Sequence, residues 1–113
     1  MLVRLDALFE GVLGIVLLLG AATGVLDGSD FPRPVGTVLL LIAGWTLLIL
    51  CGLIWSGRVG LRALAIGNAL AALVGLVWLI VADGWSTAGA SLVGVTVAVL
   101  AVLAAAQAAT LRA

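Results

Sequence analysis

Four long apolar stretches, separated by three short polar breaks, make up almost all of this 113-residue sequence. The stretches run from about 5 to 26, 35 to 55, 61 to 82 and 88 to 110. Each is long enough for a helix to cross the hydrocarbon core of a membrane, which takes roughly 20 residues. Helices satisfy their backbone hydrogen bonds internally, as lipid requires, and these stretches are apolar on every side. The sequence therefore predicts an all-α polytopic membrane protein, a single domain (1–113) of four transmembrane helices in an up-down bundle.

The composition argues against several classes of protein. Hydrophobic residues make up 65% of the chain and charged residues 9%, against about 45–50% apolar and about 25% charged residues in soluble domains. Histidine is absent, there is one cysteine and the net charge is zero, which argues against a zinc site, an internal disulfide and nucleic-acid binding. No nucleophile and general base can be paired from the remaining side chains. We therefore expect no enzyme activity, no cofactor and no metal.

The arginines predict the orientation in the membrane. If the chain crosses four times, one side carries Arg4, Arg58, Arg62 and Arg112. The other side carries three acids and a single cation, namely Asp27, Asp30, Asp83 and Arg33. Positive charge marks the cytoplasmic side, so both termini are expected in the cytoplasm of a bacterial inner (plasma) membrane. We read the first stretch as a permanent span, not a cleaved signal peptide, because it begins with two acids and three further spans follow.

Glu10 is the ionisable side chain that lies deepest in a predicted span, roughly 8 Å from the start of the first helix at about 1.5 Å per residue. Ionisable groups inside a membrane are costly and are therefore functional candidates. In one interpretation, Glu10 is a buried carboxyl that gains and loses a proton during transport. In the other, Glu10 and Asp6 lie at the cytoplasmic rim, where negative charge suits a helix start and an arginine can pair with them.

Asn68 is the one amide that lies deep in a predicted span, at a depth similar to that of Glu10. A hydrogen bond between the two side chains would satisfy both of them. Such bonds between membrane helices contribute about 1–2 kcal/mol at most. The sequence therefore predicts a Glu10–Asn68 polar pair that acts mainly as structural glue.

Small side chains form a regular series along the fourth stretch, namely Ser91, Gly94, Ala98, Ala101, Ala105 and Ala108. Small residues let membrane helices approach closely, and this spacing predicts near-antiparallel packing against a neighbouring helix. The first stretch contains a second candidate, the GxxxG segment Gly20–Gly24. These series predict packing within the chain's own bundle or, alternatively, an interface with a partner or a second copy.

Two stretches carry a resemblance to known proteins, RLDALFEGVLGIVLLLG (4–20) and RALAIGNALAALVGLVWLIVADGWSTAGASLVGVT (62–96). With them the chain resembles the small four-helix integral membrane proteins of bacteria that have no assigned activity. This resemblance covers the whole length and implies an inner-membrane protein.

The chain also resembles the small multidrug resistance transporters in length, in helix number and in the position of Glu10. The segment Pro34-Val-Gly-Thr37, with Trp45 downstream, is similar to their second helix. The chain departs from that family because it has no Tyr for the third-helix tract, and because its charge bias is strong. The resemblance implies that Glu10 is a coupling carboxylate.

Two functions follow from these observations. The first is an accessory or interaction subunit, without catalytic machinery, that docks on other membrane proteins or forms a homo-oligomer in the bilayer. The alternative is a small proton-coupled transporter in which Glu10 acts beside Asn68. The substitution Glu10→Gln separates the two, because it should abolish coupled transport and leave partner binding intact.

Overall fold

The computed structural model describes residues 2–26, 31–32 and 36–112. Its four helices are α1 (Leu2–Thr23), α2 (Thr37–Trp55), α3 (Leu61–Val81) and α4 (Thr87–Arg112). No strand occurs in these ranges. The prediction of an all-α chain with four helices is therefore confirmed. The predicted start of the second span at 35 and the residues Asp27, Asp30, Arg33 and Pro34 lie outside the described ranges.

The helix α1 is displaced toward the N-terminus relative to the predicted span. It ends at Thr23 because Gly24 has φ +78°, a left-handed conformation that glycine adopts at little cost. The chain then folds back, and the backbone N–H of Leu26 donates to the carbonyl of Gly20 at 3.0 Å. The predicted GxxxG segment is therefore a helix end, since nothing lies within 4 Å of a Cβ placed on Gly24.

Local hydrogen bonds also define the ends of the other helices. At the end of α2, Gly57 has φ +81°, its N–H donates to Ile54, and the next N–H, of Arg58, donates to Leu53. This pair of bonds is a Schellman motif. At the start of α4, the Ser86 hydroxyl accepts a hydrogen bond from the N–H of Gly89 at 3.0 Å, as expected for an N-cap.

The four helices form two hairpins, α1–α2 and α3–α4, which pack tightly within themselves and touch each other much less. Glycine permits the close approach within each hairpin. A Cβ placed on Gly14 would lie 2.8 Å from the carbonyl oxygen of Gly44, and one on Gly75 would lie 2.7 Å from Val97 Cγ2. Close approach at small residues is typical of helices packed in lipid.

Aromatic side chains join the hairpins at the end that carries the α1–α2 and α3–α4 connections. Phe31, from the first connection, stacks on Trp78 of α3 at a centroid distance of 6.4 Å. Trp85, from the last connection, meets Trp78 edge to face at 4.5 Å. Leu17 and Leu40 are buried in the same cluster. At the other end, Ala7, Ile54 and Leu64 form a second apolar cluster.

The outer surface of the bundle is apolar, with exposed side chains such as Ile42, Val74 and Val102 along the helices. Three helices are long and apolar enough to cross a membrane, over Val38–Trp55, Leu61–Val81 and Thr87–Arg112. The helix α1 is not among them, and it carries Arg4, Asp6 and Glu10 near its start. Three of the four predicted spans are thus confirmed as helices long and apolar enough to cross a membrane. The fourth span, the membrane itself and the orientation stay predictions.

A candidate functional site between the helical hairpins

Among the residues that the structure describes, four polar side chains lie in the interior of this apolar molecule. Asp6 and Gln107 are 0% exposed, Asn68 is 5% exposed and Glu10 is 6% exposed. They come from α1, α3 and α4, so the site requires both hairpins. Buried polar groups at membrane depth are costly unless they find partners.

Three of these side chains form a closed hydrogen-bonded triangle. The Asn68 amide nitrogen donates to Asp6 Oδ2 at 2.6 Å and to Gln107 Oε1 at 3.0 Å. The Gln107 amide nitrogen donates to the same Asp6 oxygen at 2.8 Å. We call Asp6, Asn68 and Gln107 the polar triangle. It links α1 to α3 and α4 at the end of the bundle opposite the aromatic cluster.

The predicted hydrogen bond between Glu10 and Asn68 is therefore wrong. The Asn68 amide nitrogen donates to Asp6 and to Gln107 instead. Asp6, not Glu10, is the carboxyl that is fully enclosed between the hairpins. The rim interpretation of Asp6 fails for the same reason. The Glu10 side chain is also buried. Because α1 starts earlier than predicted, Glu10 lies about 12 Å from the start of the helix.

Sequence reasoning missed the contributions of Asp6 and Gln107 to the site. The spacing of Gln107 from apolar residues of α4 could have predicted that its side chain is buried. Gln107 follows Leu100, Leu103 and Ala104 by seven, four and three residues, which is one helix face, and all four side chains are buried. Asp6 shares a face in the same way with Glu10 and Gly14 of α1.

One fully buried oxygen of the site has no hydrogen-bond partner. Asp6 Oδ1 is buried and makes no hydrogen bond, whereas Oδ2 accepts two. Glu10, one helical turn further along α1, also makes no hydrogen bond within the described residues. The site thus combines two carboxyl groups with a deficit of donors.

Glu10 lines a cavity of about 310 Å³ between the hairpins. Its walls include Leu13 of α1, Leu47 and Leu50 of α2, and Gly67 and Asn68 of α3. The walls are otherwise apolar, so Glu10 and Asn68 supply its polar groups. We call this space the Glu10 cavity.

A second cavity, of about 330 Å³, lies on the side of the aromatic cluster. Its walls are almost entirely apolar and include Leu17, Phe31, Trp78 and Thr96. The Thr96 hydroxyl is already bonded to the carbonyl of Leu92 at 2.8 Å. Leu13 lines both cavities, so the two spaces adjoin at this side chain. We call the second space the aromatic cavity.

The arginines of the described ranges lie away from the buried acids. The Arg4 guanidinium lies over the ring of Trp55 at 5.2 Å, within the range of a cation–π contact. Arg58, Arg62 and Arg112 have exposed side chains. In the part of the chain that the structure describes, no arginine forms an ion pair with Asp6 or Glu10.

The small-residue series of α4 lies mainly on the outside. Ser91, Ala98, Ala101 and Ala105 are exposed, and Gly94 and Ala108 are partly buried. The buried face of α4 is instead formed by Gly89, Leu100, Leu103, Ala104 and Gln107. The exposed members of the series therefore do not lie in the interior of this bundle, and the interpretation as an interface with another chain stays a prediction.

The polar groups of the site are two carboxyls and two amides, and their acceptor oxygens outnumber their donor nitrogens. This chemistry suits a proton or another positive charge. The described residues contain no group of three or more His, Cys, Asp or Glu side chains that could hold a metal ion. Cys51, the single cysteine, has a free, partly buried thiol.

In the comparisons with known proteins, the chain matches no family model, no curated protein and no solved structure.

Proposed function

We propose that the chain is a small integral membrane transporter in which the Glu10 carboxyl couples solute movement to protons. One observation carries this proposal. Glu10 is buried, yet it lines a cavity of about 310 Å³ between two hairpins that touch each other little. A carboxyl that is both enclosed and adjacent to free space can exchange a proton for a solute. The proposal assigns the chain no covalent chemistry.

In this proposal α1 also crosses the membrane, which gives four spans. Support comes from the direction of its side chains, since Asp6 and Glu10 point inward. The outward face carries apolar side chains, namely Leu8, Val12, Ile15 and Leu19. Lipid would therefore meet an apolar surface along most of α1. The distribution of arginines supports a cytoplasmic location for both termini, and the resemblance in sequence supports a bacterial inner membrane.

The two adjoining cavities favour an organic cation as the solute. A cation would be attracted to the Glu10 carboxyl, and an apolar body would fill the space beside Phe31 and Trp78. Aromatic faces also attract cations directly. Leu13, which lies between the cavities, would have to rotate to let one solute occupy both.

The arrangement of the hairpins supports a rocking motion. They are joined at one end by the aromatic cluster and at the other by the polar triangle. Opening one junction while the other stays closed would expose the Glu10 cavity to one side at a time. Rigid-body movement of one half against the other is a common transport mechanism.

The test is proton-driven uptake of tetraphenylphosphonium, an organic cation, into liposomes that contain the purified protein. We expect uptake by the wild-type protein, and uptake at the level of empty liposomes with Glu10→Gln. The matched control is Asp83→Asn, which makes the same acid-to-amide change at an exposed site and should preserve uptake. Full activity of Glu10→Gln would refute the role of Glu10.

A second candidate function is the accessory or interaction subunit. It is favoured by the exposed small residues of α4, which leave a smooth surface for a partner helix or a second copy. The test is native mass spectrometry of the protein extracted gently from its host membrane, with Ala98→Leu as the variant and Val102→Leu as the control. A stoichiometric complex that is lost only with Ala98→Leu supports this function. A monomer in every sample contradicts it.

A further inference from the structure

The hydrogen bonds of the polar triangle are distributed unequally over the Asp6 carboxyl. Both amide donors, from Asn68 and Gln107, go to Oδ2, and the buried Oδ1 has none. An ionised carboxylate carries charge on both oxygens and needs donors at both. A protonated carboxyl has a different pattern, because its carbonyl oxygen accepts hydrogen bonds and its hydroxyl oxygen donates one. The pattern at Asp6 matches the protonated form with the hydroxyl at Oδ1.

The acceptor for this hydroxyl is the second feature of the site. Glu10 follows Asp6 by four residues on α1, so the two side chains lie on the same helix face one turn apart. Like charges at this spacing on a helix repel each other. Glu10 has no hydrogen-bond donor among the described residues. A single proton would supply the missing hydrogen bond, because one carboxyl would then donate it and the other would accept it.

We infer that Asp6 and Glu10 share one proton, held between Asp6 Oδ1 and the Glu10 carboxyl, at neutral pH. Two like charges one helical turn apart in a low-dielectric interior disfavour each other, as in other carboxyl pairs that share a site. The proton belongs to the pair and not to either residue. This property holds whether or not the chain transports a solute, and it makes Asp6 a second member of the site.

Other charged or titratable groups do not supply the missing donor. On α1, Arg4 lies over Trp55. On α3 and α4, Arg62 and Arg112 are exposed, and α2 contributes only the thiol of Cys51, which faces Gly11. Within the described ranges, therefore, no cation neutralises the two carboxyls from any helix packed against them.

The test is infrared spectroscopy of the purified protein in lipid at neutral pH, in the region of the protonated carboxyl C=O stretch. Glu10 is the single glutamate of the chain, so ¹³C-glutamate labels it alone. ¹³C-aspartate labels Asp6 together with the three other aspartates of the sequence. We expect a band equivalent to one protonated carboxyl per chain that shifts with either label. A wild-type protein without the band refutes the inference, and so does a band that responds to one label alone.

Amide variants provide an independent measurement. Glu10→Gln and Asp6→Asn each supply the missing N–H donor, so the remaining carboxyl should ionise and the band should disappear in both variants. Asp83→Asn, at an exposed acid, should retain the full band. Circular dichroism identifies a variant that has lost its helices. If a variant does not fold, the isotope shifts of the labelled wild-type protein test the shared proton without it. A full band in a folded Asp6→Asn protein would overturn the shared proton, because Glu10 would then hold it unaided.

Discussion

Replacing Asn68 by Leu tests whether the polar triangle holds the two hairpins together. The change removes two hydrogen bonds at once, to Asp6 Oδ2 at 2.6 Å and to Gln107 Oε1 at 3.0 Å. Hydrogen bonds between membrane helices contribute about 0.6 kcal/mol on average and up to about 1.7 kcal/mol each. A buried acceptor that loses a donor adds a penalty of about 1–3 kcal/mol. Asp6 keeps its bond from Gln107, whereas the buried Gln107 Oε1 loses its donor. With two bonds of average strength and one such penalty, we expect a total loss of about 2–4 kcal/mol.

The assay is reversible unfolding of the protein in mixed micelles, followed by the fluorescence of its tryptophans. Thr46→Val is the control, because it removes a hydrogen bond to Ile42 within one helix at an exposed site. It should change the free energy of unfolding by less than about 0.5 kcal/mol. A double variant, Asn68→Leu with Gln107→Leu, should cost less than the sum of its parts because the two amides share a bond. The reasoning is refuted if Asn68→Leu unfolds at the wild-type denaturant concentration, or if the two substitutions are additive.

Two further predictions concern packing within and between the hairpins. Gly14→Ala should destabilise the protein by about 1–3 kcal/mol in the same unfolding assay, because its Cβ would lie 2.8 Å from a backbone carbonyl of α2. Gly52→Ala is the control and should be neutral or slightly stabilising, since nothing lies within 4 Å of its Cβ. Equal losses for the two glycines would contradict this packing. Trp78→Ala should cost about 3–5 kcal/mol because it empties the centre of the aromatic cluster, and Trp45→Ala, at a side chain that is 60% exposed, should cost much less. A similar loss at both tryptophans would show that the cluster does not join the hairpins.

The helices could be predicted from the sequence because each apolar stretch has the length of a membrane span and ends at a polar break. The ends were less accurate where backbone conformation decides them. Gly24 was counted inside a helix as part of a GxxxG segment, whereas its positive φ ends α1. Sequence spacing does not distinguish a glycine that permits close packing from one that reverses the chain.

The candidate site could be predicted only in part. Depth along a helix can be counted from the sequence, and this count makes Glu10 and Asn68 candidates for the interior, where both side chains are buried. The rotation of one helix relative to another cannot be counted in this way, and it decides that Asn68 meets Asp6 and Gln107. The small residues of α4 illustrate the same limit, since their spacing defines a face but not what covers it.

The division of the interior polar groups between the hairpins has a consequence for biosynthesis. The first hairpin is made first and carries both acids, while Asn68 and Gln107 arrive only with the second. A half-made chain would therefore hold two carboxyls with no amide to receive them. It would also lack Trp78 and Trp85, on which Phe31 closes the opposite end. The second hairpin thus supplies the hydrogen-bond donors and the aromatic partners for the interior groups of the first.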